Sequence, residues 1–261
     1  MIYKNLQGVP DFRCEEYAPR LNKYCVLVPI INERGRIEPE LARAQAAGVD
    51  RLADIIICDG GSDDGCTDLL AGMGVNSLLV KTGPGKQGAQ LRMGFWWALE
   101  RGYEGFISVD GNNKDSIEDV PKFIEKLDAG YDFVQGSRFV RGGRAINTPV
   151  MRWLAVRLIH APVISLTAGK RFTDSTNAFR AYSRAYIAHP QVQPFRDIFA
   201  GYELLAYLSV KASRLGLRTC ESPVTREYPR GVKPPTKIKG WRGNLALLRI
   251  LLANARGKYD V

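Results

Sequence analysis

Histidine is scarce in this sequence, which has only His160 and His189 among its 261 residues. A histidine-rich zinc centre or a set of histidine bases is therefore excluded. The five cysteines are scattered, odd in number and without a CxxC motif. This usage is typical of a reduced cytoplasmic protein and argues against a disulfide scaffold.

Charge-free apolar runs and several well-known motifs are also missing. No uncharged apolar stretch reaches the ~18 residues that a spanning helix needs, so we expect no membrane-spanning helix. The N-terminal residues lack the cationic and apolar regions of a secretory signal. The stretch GPGKQG (83–88) is not a P-loop, because Val80 replaces its first glycine and Gln87 its Ser/Thr. No GxGxxG follows the first predicted strand, and there is no GxSxG elbow.

Cations are abundant: 37 Lys and Arg against 27 Asp and Glu give a formal net charge of +10. Such a charge suits nucleic acid, a phosphorylated substrate or an anionic membrane face. Nucleic acid is not expected as the partner, because the sequence has no recognisable binding module and no aromatic residues interleaved with its cations.

Strand-like and helix-like segments alternate through the first half of the chain. The apolar runs are continuous, as in strands buried on both faces, and most of the segments between them end at glycine, as helices do. This pattern predicts an α/β fold with a mostly parallel central sheet flanked by helices, in one catalytic domain over 1–240. The predicted strands are 24–30, 53–59, 76–80, 105–110 and 132–136, and the predicted helices are 36–48, 63–74, 87–102 and 116–130.

Two amphipathic, cationic helices are predicted in the second half. One covers 148–169, carries Arg152 among its cations and is broken by Pro162. The other belongs to a C-terminal unit, 241–261. Two interpretations stay open: the helices pack in the core or in a homo-oligomer, or they lie on a membrane surface. Between them, 225–240 is rich in Pro and cations and is predicted to be an exposed loop.

Polar or glycine-bearing segments follow four of the predicted strands. Because the carboxyl ends of parallel strands meet at one edge of a sheet, these segments should converge on one binding site. They are 29–34, 59–65, 110–115 and 136–138.

Seven sequence blocks follow one another in an order typical of a known family. They are VLVPIINE, IIICDGGSDDGCTD, GKQGAQLRMGFWWA, FISVDGNNKDS, VQGSRFVRGG, FTDSTNAFRAYSR and ESPVTREYPRG. The chain thereby resembles family 2 glycosyltransferases of the GT-A fold, in particular the dolichyl-phosphate-mannose synthase-like, or polyprenyl-phosphate, branch. The resemblance covers roughly 23–240. It implies a nucleotide-diphosphate sugar as donor and inversion by a single in-line displacement at the anomeric carbon.

For the donor, the resemblance implies that Pro29, Asn32 and Glu33 line the nucleotide pocket and that Asp59 bonds to the base. A carboxylate suits the N–H donors of a base. A second Asp usually follows, and here Gly60 replaces it. The alternative for Glu33 is an acid at a helix N-terminus.

Two more donor-side residues are implied. Ser62, after Gly61, lets the chain turn sharply beside the ligand. Lys86 is similar in position to a diphosphate or base-side contact, and a solvated surface lysine is the alternative.

The family's metal-binding motif is represented by Asp110 and Asn112, which would hold Mg²⁺ or Mn²⁺ between the donor phosphates. Asn112 offers a neutral carbonyl where an acid is usual. Lys114 replaces a further polar ligand and would repel the metal, or would touch the diphosphate itself. Asp115 is expected to cap the following helix, and the alternative is a contact that holds Lys114.

For the acceptor, the resemblance implies that Arg138 and Arg152 bind its phosphate, since arginine offers planar paired donors. The alternative for Arg152 is a helix-face cation. Asp174 is similar in position to an acceptor-side acid or base, although Asn177 replaces the glycine of that block. Glu203 would orient acceptor groups or simply lie on a helix face.

The basic loop would close over the diphosphate by the same resemblance. Its cations would suit anionic lipid heads equally well. They are Arg226, Arg230 and Lys237.

We therefore expect an inverting glycosyltransferase that moves a sugar from UDP or GDP to a polyprenyl phosphate, on the cytoplasmic face of a membrane. Transfer to a sugar hydroxyl, with Asp174 as base, is the first alternative. An inactive GT-A scaffold, suggested by Gly60 and Asn112, is the second.

Overall fold

The computed structural model describes residues 1–231 and 240–260. Its strands are β1 Ile2–Tyr3, β2 Phe12–Glu16, β3 Tyr24–Ile30, β4 Asp54–Asp59, β5 Val75–Lys81, β6 Gly105–Ser108, β7 Phe133–Ser137, β8 Arg144–Ile146, β9 Arg180–Ser183, β10 Thr219–Pro223 and β11 Thr225–Glu227. Nine of them form one sheet in the order β1-β2-β5-β4-β3-β6-β9-β7-β10, and β11 pairs with β8.

The centre of the sheet is parallel, with β5, β4, β3 and β6 side by side. All residues of β3 and β4 are buried, and their sequences are nearly continuous apolar runs. A strand covered by helices on both faces needs this composition. The predicted α/β class is confirmed.

The rest of the sheet is less parallel than predicted. β9 runs antiparallel between β6 and β7, and β2 runs antiparallel beside β5. β9 begins with a buried arginine, so it does not show as an apolar run. The Arg180 guanidinium donates to the carbonyls of Asn177 and Leu205, at 2.9 and 2.6 Å, which makes its burial possible.

Helices cover both faces of the sheet and enclose two separate cores. They are α1 Ile37–Ala46, α2 Gln87–Glu100, α3 Val120–Asp128, α4 Val150–Ala155, α5 Ala161–Ala168, α6 Arg184–Ile187, α7 Glu203–Arg214 and α8 Gly240–Ala255. Residues of α1 and α3, such as Leu41 and Phe123, form one core. Residues of α2, α5 and α7, such as Trp97 and Leu208, form the other. Alternate side chains of β3 point into each core, as a pleated strand requires.

The helix predicted over 63–74 is wrong. This segment contains a short 3-10 turn, Leu70–Gly72, within bends and turns. The Asp64 carboxylate accepts hydrogen bonds from the backbone N–H groups of Cys66 and Arg34, at 3.0 and 2.9 Å. Such side-chain bonds to nearby backbone compete with helix formation.

The apolar stretch after 148 forms one helical run, Val150–Ala168, here called the 150–168 helix. The predicted break at Pro162 is wrong: a π-helical turn, Val156–His160, precedes α5, and Pro162 lies in the first turn of α5. A proline is tolerated there because those N–H groups have no partner within their own helix. By length and composition the helix could cross a membrane, contrary to our expectation, and only 17% of its apolar window is buried.

The C-terminal helix packs on the catalytic core. α8 contacts α5 and α7, and Leu251 is buried between them. The Asn254 amide donates to the Ala206 carbonyl at 2.9 Å. The core-packing interpretation therefore holds for α8, and the domain boundary between 240 and 241 stays a prediction.

Candidate active site

Three loops meet at the carboxyl edge of the parallel strands. The backbone N–H groups of Gly60 and Gly111 donate to carbonyls at the end of β3, at 2.8 and 3.4 Å. The Gln90 amide of α2 donates to the carbonyls of Ile30 and Cys58, at 2.6 and 2.8 Å, and so joins the ends of β3 and β4. The expected convergence holds for the segments after β3, β4 and β6.

Two glycines make this close approach possible. A Cβ on Gly111 would lie 2.4 Å from a methyl carbon of Ile30. A Cβ on Gly60 would lie 3.1 Å from Gln90 Nε2, in a tight contact. Gly60 occupies the position of the second acid in the resembling family. The space that its side chain would take is filled by the Gln90 amide, which joins the ends of β3 and β4.

Asp59 is buried, and its carboxylate bonds within its own loop. It accepts hydrogen bonds from the backbone N–H groups of Gly61 and Ser62, at 2.9 and 3.0 Å, and from the Ser62 hydroxyl. Asn32, with a positive φ of 51°, donates its N–H to Ser62 Oγ at 2.9 Å and accepts from the N–H of Asp63 at 3.0 Å. These bonds hold the loops after β3 and β4 together. The base contact of Asp59 stays a prediction.

The other predicted donor-side residues lie around these loops. Pro29 is buried within β3, and Glu33 is buried in an ion pair with Arg36. Lys86 is exposed beside the start of α2, and its backbone N–H donates to the Ala200 carbonyl at 2.7 Å. Their contacts with a nucleotide stay predictions.

Asp110 lies two residues beyond β6, and three donors approach its carboxylate. Gln87 Nε2 donates to Oδ1 at 2.8 Å. Asn112 Nδ2 and Arg226 Nη2 lie 3.4 and 3.3 Å from Oδ2. Gln87 was missed at the sequence level, where it counted only as a departure from a P-loop.

The prediction of an exposed loop over 225–240 is wrong for its first residues, Thr225–Glu227, which form β11. β11 pairs with β8, and a β-bridge joins Arg226 to Asp115. The buried guanidinium of Arg226 is ion-paired with the fully buried carboxylate of Asp115, so the predicted capping role of Asp115 is wrong. Arg230 is exposed, and Lys237 lies outside the described residues.

Tyr228 is the centre of a group of three cations. Arg152 Nη1 donates to its hydroxyl at 2.8 Å. Lys114 Nζ and the guanidinium carbons of Arg152 and Arg226 lie 5.6, 5.4 and 5.8 Å from its ring centre. Burial raises the pKa of Tyr228, but the charges of Arg226 and Arg152 outweigh burial and hold this pKa below its usual value. Burial lowers the pKa of Lys114, and Arg226 lowers it further.

Tyr228 was also missed at the sequence level. It stands between two arginines in REYPR, and a single aromatic residue in a cationic, proline-rich segment carries no periodic signal. The pairing of β11 with β8 turns this segment towards Asp110.

Arg138 and Asp174 form a closed, buried ion pair. Arg138 Nε and Nη2 donate to the two carboxylate oxygens of Asp174, at 2.6 and 2.9 Å, and Nη2 also donates to Thr176 Oγ1 at 2.8 Å. Burial raises the pKa of Asp174, but Arg138 outweighs it, so this pKa lies below its usual value. The structure thus joins the two predicted acceptor residues to each other, and their roles in chemistry stay predictions.

Tyr202 and Glu203 lie at the start of α7. Burial raises the pKa of Tyr202, and the negative charge of Asp110 raises it further. No motif had indicated Tyr202. Glu203 accepts a hydrogen bond from the Gly201 N–H at 2.6 Å, so its carboxylate serves the start of α7.

The 150–168 helix borders the site and exposes a large apolar surface. Met151, Leu158 and Leu166 are exposed by 77%, 67% and 83%, and Trp153 by 41%. Arg152 comes from the same helix and contacts Tyr228. One element thus carries both an apolar surface and a cation of the site.

Comparison with known proteins supports these observations. No protein-family model matches the chain. The polyprenol monophosphomannose synthase of Mycolicibacterium smegmatis is 27% identical over 241 residues, which is 90% of this chain and 88% of the relative. The undecaprenyl-phosphate mannosyltransferase of Micrococcus luteus is 28% identical over 204 residues, which is 76% of this chain and 81% of the relative.

A solved structure shares the fold. The glucosyl-3-phosphoglycerate synthase of Mycobacterium tuberculosis, in complex with Mn²⁺, UDP and phosphoglyceric acid, superposes with a TM-score of 0.62 at 17% identity. The match covers 89% of this chain and 78% of that one, and it confirms the GT-A fold. The chain is therefore a glycosyltransferase of the GT-A fold, and it resembles the polyprenyl-phosphate sugar transferases of family 2.

Proposed function

We propose that this enzyme transfers a sugar from a nucleoside-diphosphate donor to a polyprenyl phosphate, with inversion at the anomeric carbon. The observation that carries the proposal is the placement of Arg152. It lies on the exposed apolar 150–168 helix and bonds to Tyr228, whose ring also contacts Lys114 and Arg226 beside Asp110. A lipid with a phosphate head needs such a junction between an apolar surface and cations.

The strand ends supply the donor side. Ser62 joins the loops of Asn32 and Asp59, because it accepts a hydrogen bond from the Asn32 N–H and donates its own N–H to Asp59. A pre-formed cleft of backbone and polar groups at the carboxyl ends of parallel strands is the usual nucleotide site of such sheets. We place the base there and the diphosphate towards Asp110.

The state of Asp174 favours a phosphate acceptor over a sugar hydroxyl. A hydroxyl needs a general base with a pKa near the working pH. Asp174 is fully buried, its oxygens bind Arg138, and its pKa is lowered. A phosphate oxygen is already anionic and attacks without a base, so the reaction does not require Asp174 to accept a proton.

The proposed reaction is a single displacement. An acceptor phosphate oxygen forms a bond to the anomeric carbon while the bond from that carbon to the donor diphosphate breaks. The electron pair of the broken bond stays on the leaving nucleoside diphosphate, so no proton is transferred. Arg152 would orient the acceptor, and the cations beside Asp110 would stabilise the charge that develops on the leaving group.

The resemblance implies a divalent ion at Asp110 and Asn112, and the Mycobacterium tuberculosis structure contains Mn²⁺, so the fit of these residues to such an ion is the question. Asn112 Oδ1 is buried without a hydrogen-bond partner and could serve as a ligand. However, residues 1–231 and 240–260 contain no group of three or more His, Cys, Asp or Glu that could hold a metal. The Asp110 carboxylate is instead surrounded by donors, including the charged Arg226. This donor set does not fit a resident divalent ion.

We place the enzyme peripherally on the cytoplasmic side of a membrane, with the 150–168 helix against an anionic surface. This helix exposes Leu158 and Leu166 and carries Arg157 among its cations, as interfacial helices do. Its last part packs on α7 and α8, so it belongs to the folded domain. A homo-oligomer stays a prediction.

The test of transfer uses the full chain with UDP- and GDP-linked hexoses and undecaprenyl phosphate in detergent. We expect release of nucleoside diphosphate and appearance of labelled sugar in the organic phase. Undecaprenol, the same lipid without phosphate, is the matched control and should give neither. Release with an oligosaccharide acceptor but with no lipid phosphate would contradict the proposal.

Membrane contact is tested by sedimentation with vesicles that contain phosphatidylglycerol or only phosphatidylcholine. The double substitution of Leu158 and Leu166 to serine should reduce binding to the anionic vesicles. Leu69→Ser, at a leucine exposed by 65% outside this helix, is the control. Equal binding by all three proteins would contradict the placement of the helix.

A further inference from the structure

We infer that Lys114 and Arg226 hold the donor diphosphate in place of a divalent metal ion. This inference rests on the proposed function and concerns the same site. It follows from the positions of two buried cations beside Asp110 and from the charge that they bring.

The two cations lie on the same side of the site as the carboxylate that a metal would use. Arg226 Nη2 is 3.3 Å from Asp110 Oδ2. Lys114 follows in the same loop as Asp110, is 7% exposed, and lies over the Tyr228 ring. The Tyr228 ring is also in contact with Arg226, so both cations share one wall. Lys114 thus adds a second positive charge to the wall that carries Arg226, and like charges that lie close together repel, so a divalent ion is attracted less.

The formal charges of the site balance without a metal. An Asp-x-Asp motif with a bound divalent ion has a net charge of zero. Here Asp110 contributes one negative charge and Lys114 one positive charge, Asn112 is neutral, and the charges of the Arg226–Asp115 pair cancel each other. Asn112 removes one negative charge, and Lys114 supplies a positive charge where the metal would have supplied its own. The two features therefore compensate each other. Together they preserve the charge that the donor diphosphate meets.

The tertiary structure holds these cations firmly. Arg226 lies in β11, which pairs with β8, and its guanidinium is ion-paired with fully buried Asp115. The backbone carbonyl of Lys114 accepts a hydrogen bond from the N–H of Glu227 at 2.8 Å. Cations held before the ligand arrives stabilise developing charge without reorganisation. In this arrangement Asp110 is a positioning residue, which orients Arg226 and Gln87.

The first measurement is calorimetric binding of UDP and GDP to the full chain, in EDTA and in Mn²⁺. We expect the Kd of the preferred nucleotide to differ by less than about threefold between the two conditions. Lys114→Gln should weaken metal-free binding by about tenfold or more, the usual size of a lost charge-assisted contact. Lys126→Gln is the matched control, because Lys126 also lies over a tyrosine ring, that of Tyr131, at 5.8 Å, but on α3.

The second measurement restores the family-like ligands. The double substitution Asn112→Asp with Lys114→Gln should make nucleotide binding depend on Mn²⁺, and it should add a bound-Mn²⁺ signal in electron paramagnetic resonance. Lys114→Arg keeps the cation and should keep metal-free binding. This variant separates loss of charge from loss of folding.

The outcomes separate this inference from the proposed function. Wild-type nucleotide binding that disappears in EDTA and returns with Mn²⁺ would overturn the inference and leave glycosyl transfer intact. Metal-free binding without transfer to undecaprenyl phosphate would support the inference and contradict the proposed acceptor. Absence of UDP and GDP binding under both conditions would overturn both.

Discussion

Two buried arginine–carboxylate pairs, Arg138 with Asp174 and Arg226 with Asp115, differ in how many of their polar atoms are hydrogen-bonded. In the pair of Arg138 with Asp174, both carboxylate oxygens and two of the guanidinium nitrogens are used. In the pair of Arg226 with Asp115, one carboxylate oxygen is buried without a hydrogen-bond partner, and the guanidinium also reaches Asp110. The first pair is closed, and the second retains capacity for a ligand.

This difference distinguishes a pair that stabilises the fold from a pair that can take part in ligand binding. A buried ion pair whose groups are all satisfied holds neighbouring segments in place, and breaking it leaves an uncompensated charge. A guanidinium that also bonds to a partly exposed carboxylate, as Arg226 does to Asp110, can exchange that second contact for an anionic ligand. By this criterion we propose that the chemistry lies at Asp110 and that the pair of Arg138 with Asp174 belongs to the scaffold.

The largest effect is expected at the closed pair. Asp174→Ala leaves the buried charge of Arg138 unpaired, so the free energy of unfolding should fall by about 3–5 kcal/mol in urea titrations. Glu118→Ala breaks the partly exposed pair with Arg43 and should change it by about 1 kcal/mol or less. A stable Asp174→Ala protein that has lost turnover would instead support the sequence-based hypothesis of an acceptor-side base.

The opposite result is expected at Asp110, which the Arg226 guanidinium of the second pair also contacts. Asp110→Ala should lower kcat by about 10²–10³-fold, because Arg226 and Gln87 lose the group that orients them. The free energy of unfolding should change by less than about 1 kcal/mol, since this side chain is partly exposed. Glu125→Ala, at an exposed acid of α3, is the control for both measurements. Near-normal turnover of Asp110→Ala would place the site elsewhere.

The acceptor contact is expected to be weaker. Arg152→Ala should raise the KM for undecaprenyl phosphate by about 10–100-fold, the range of one charged hydrogen bond, and leave UDP or GDP affinity within about twofold. Arg157→Ala is the matched control, because this arginine lies on the same helix but over the Phe139 ring, 5.2 Å from its centre. A fall in nucleotide affinity in Arg152→Ala would assign Arg152 to the donor.

The smallest effect concerns the loop that carries Asp110. Buried Glu40 accepts a hydrogen bond from the Asn113 N–H at 2.6 Å, and burial raises its pKa well above the usual 4.5. The stabilisation by neutral Glu40 is complete below pH 4.5 and is lost as pH rises through the folded-state pKa. Glu40→Gln should keep the neutral form and unfold with a free energy about 1 kcal/mol higher than wild type at pH 9, converging with wild type at pH 5. Parallel curves for the two proteins over this range would contradict the assignment.

Much of the central fold could be predicted from the sequence. Tyr24–Ile30 is apolar throughout, and Asp54–Asp59 is apolar between its two terminal aspartates, a pattern typical of strands buried on both faces. Antiparallel β9 could not be predicted, because Arg180 hides the apolar pattern of a four-residue strand. Its guanidinium is satisfied by carbonyls that only the folded chain brings near.

Some features of the candidate site could likewise be predicted from the sequence, and others could not. The position of Asp110 at a strand end follows from local sequence, because an apolar run stops and a polar loop begins at one edge of a parallel sheet. The resemblance also indicated that Asn112 and Lys114 are unusual at their positions. The sequence alone left open whether Lys114 replaces the metal.

Only the tertiary structure decided which charges meet. Asp115 and Arg226 are 111 residues apart in sequence, and no local pattern connects them. Arg226 was expected in an exposed loop because its neighbours are Pro-rich and cationic, yet strand pairing and a buried carboxylate bring it to Asp110. Local sequence determines backbone preference and burial. The partner of a buried charge depends on which distant segment supplies the opposite charge once water is excluded.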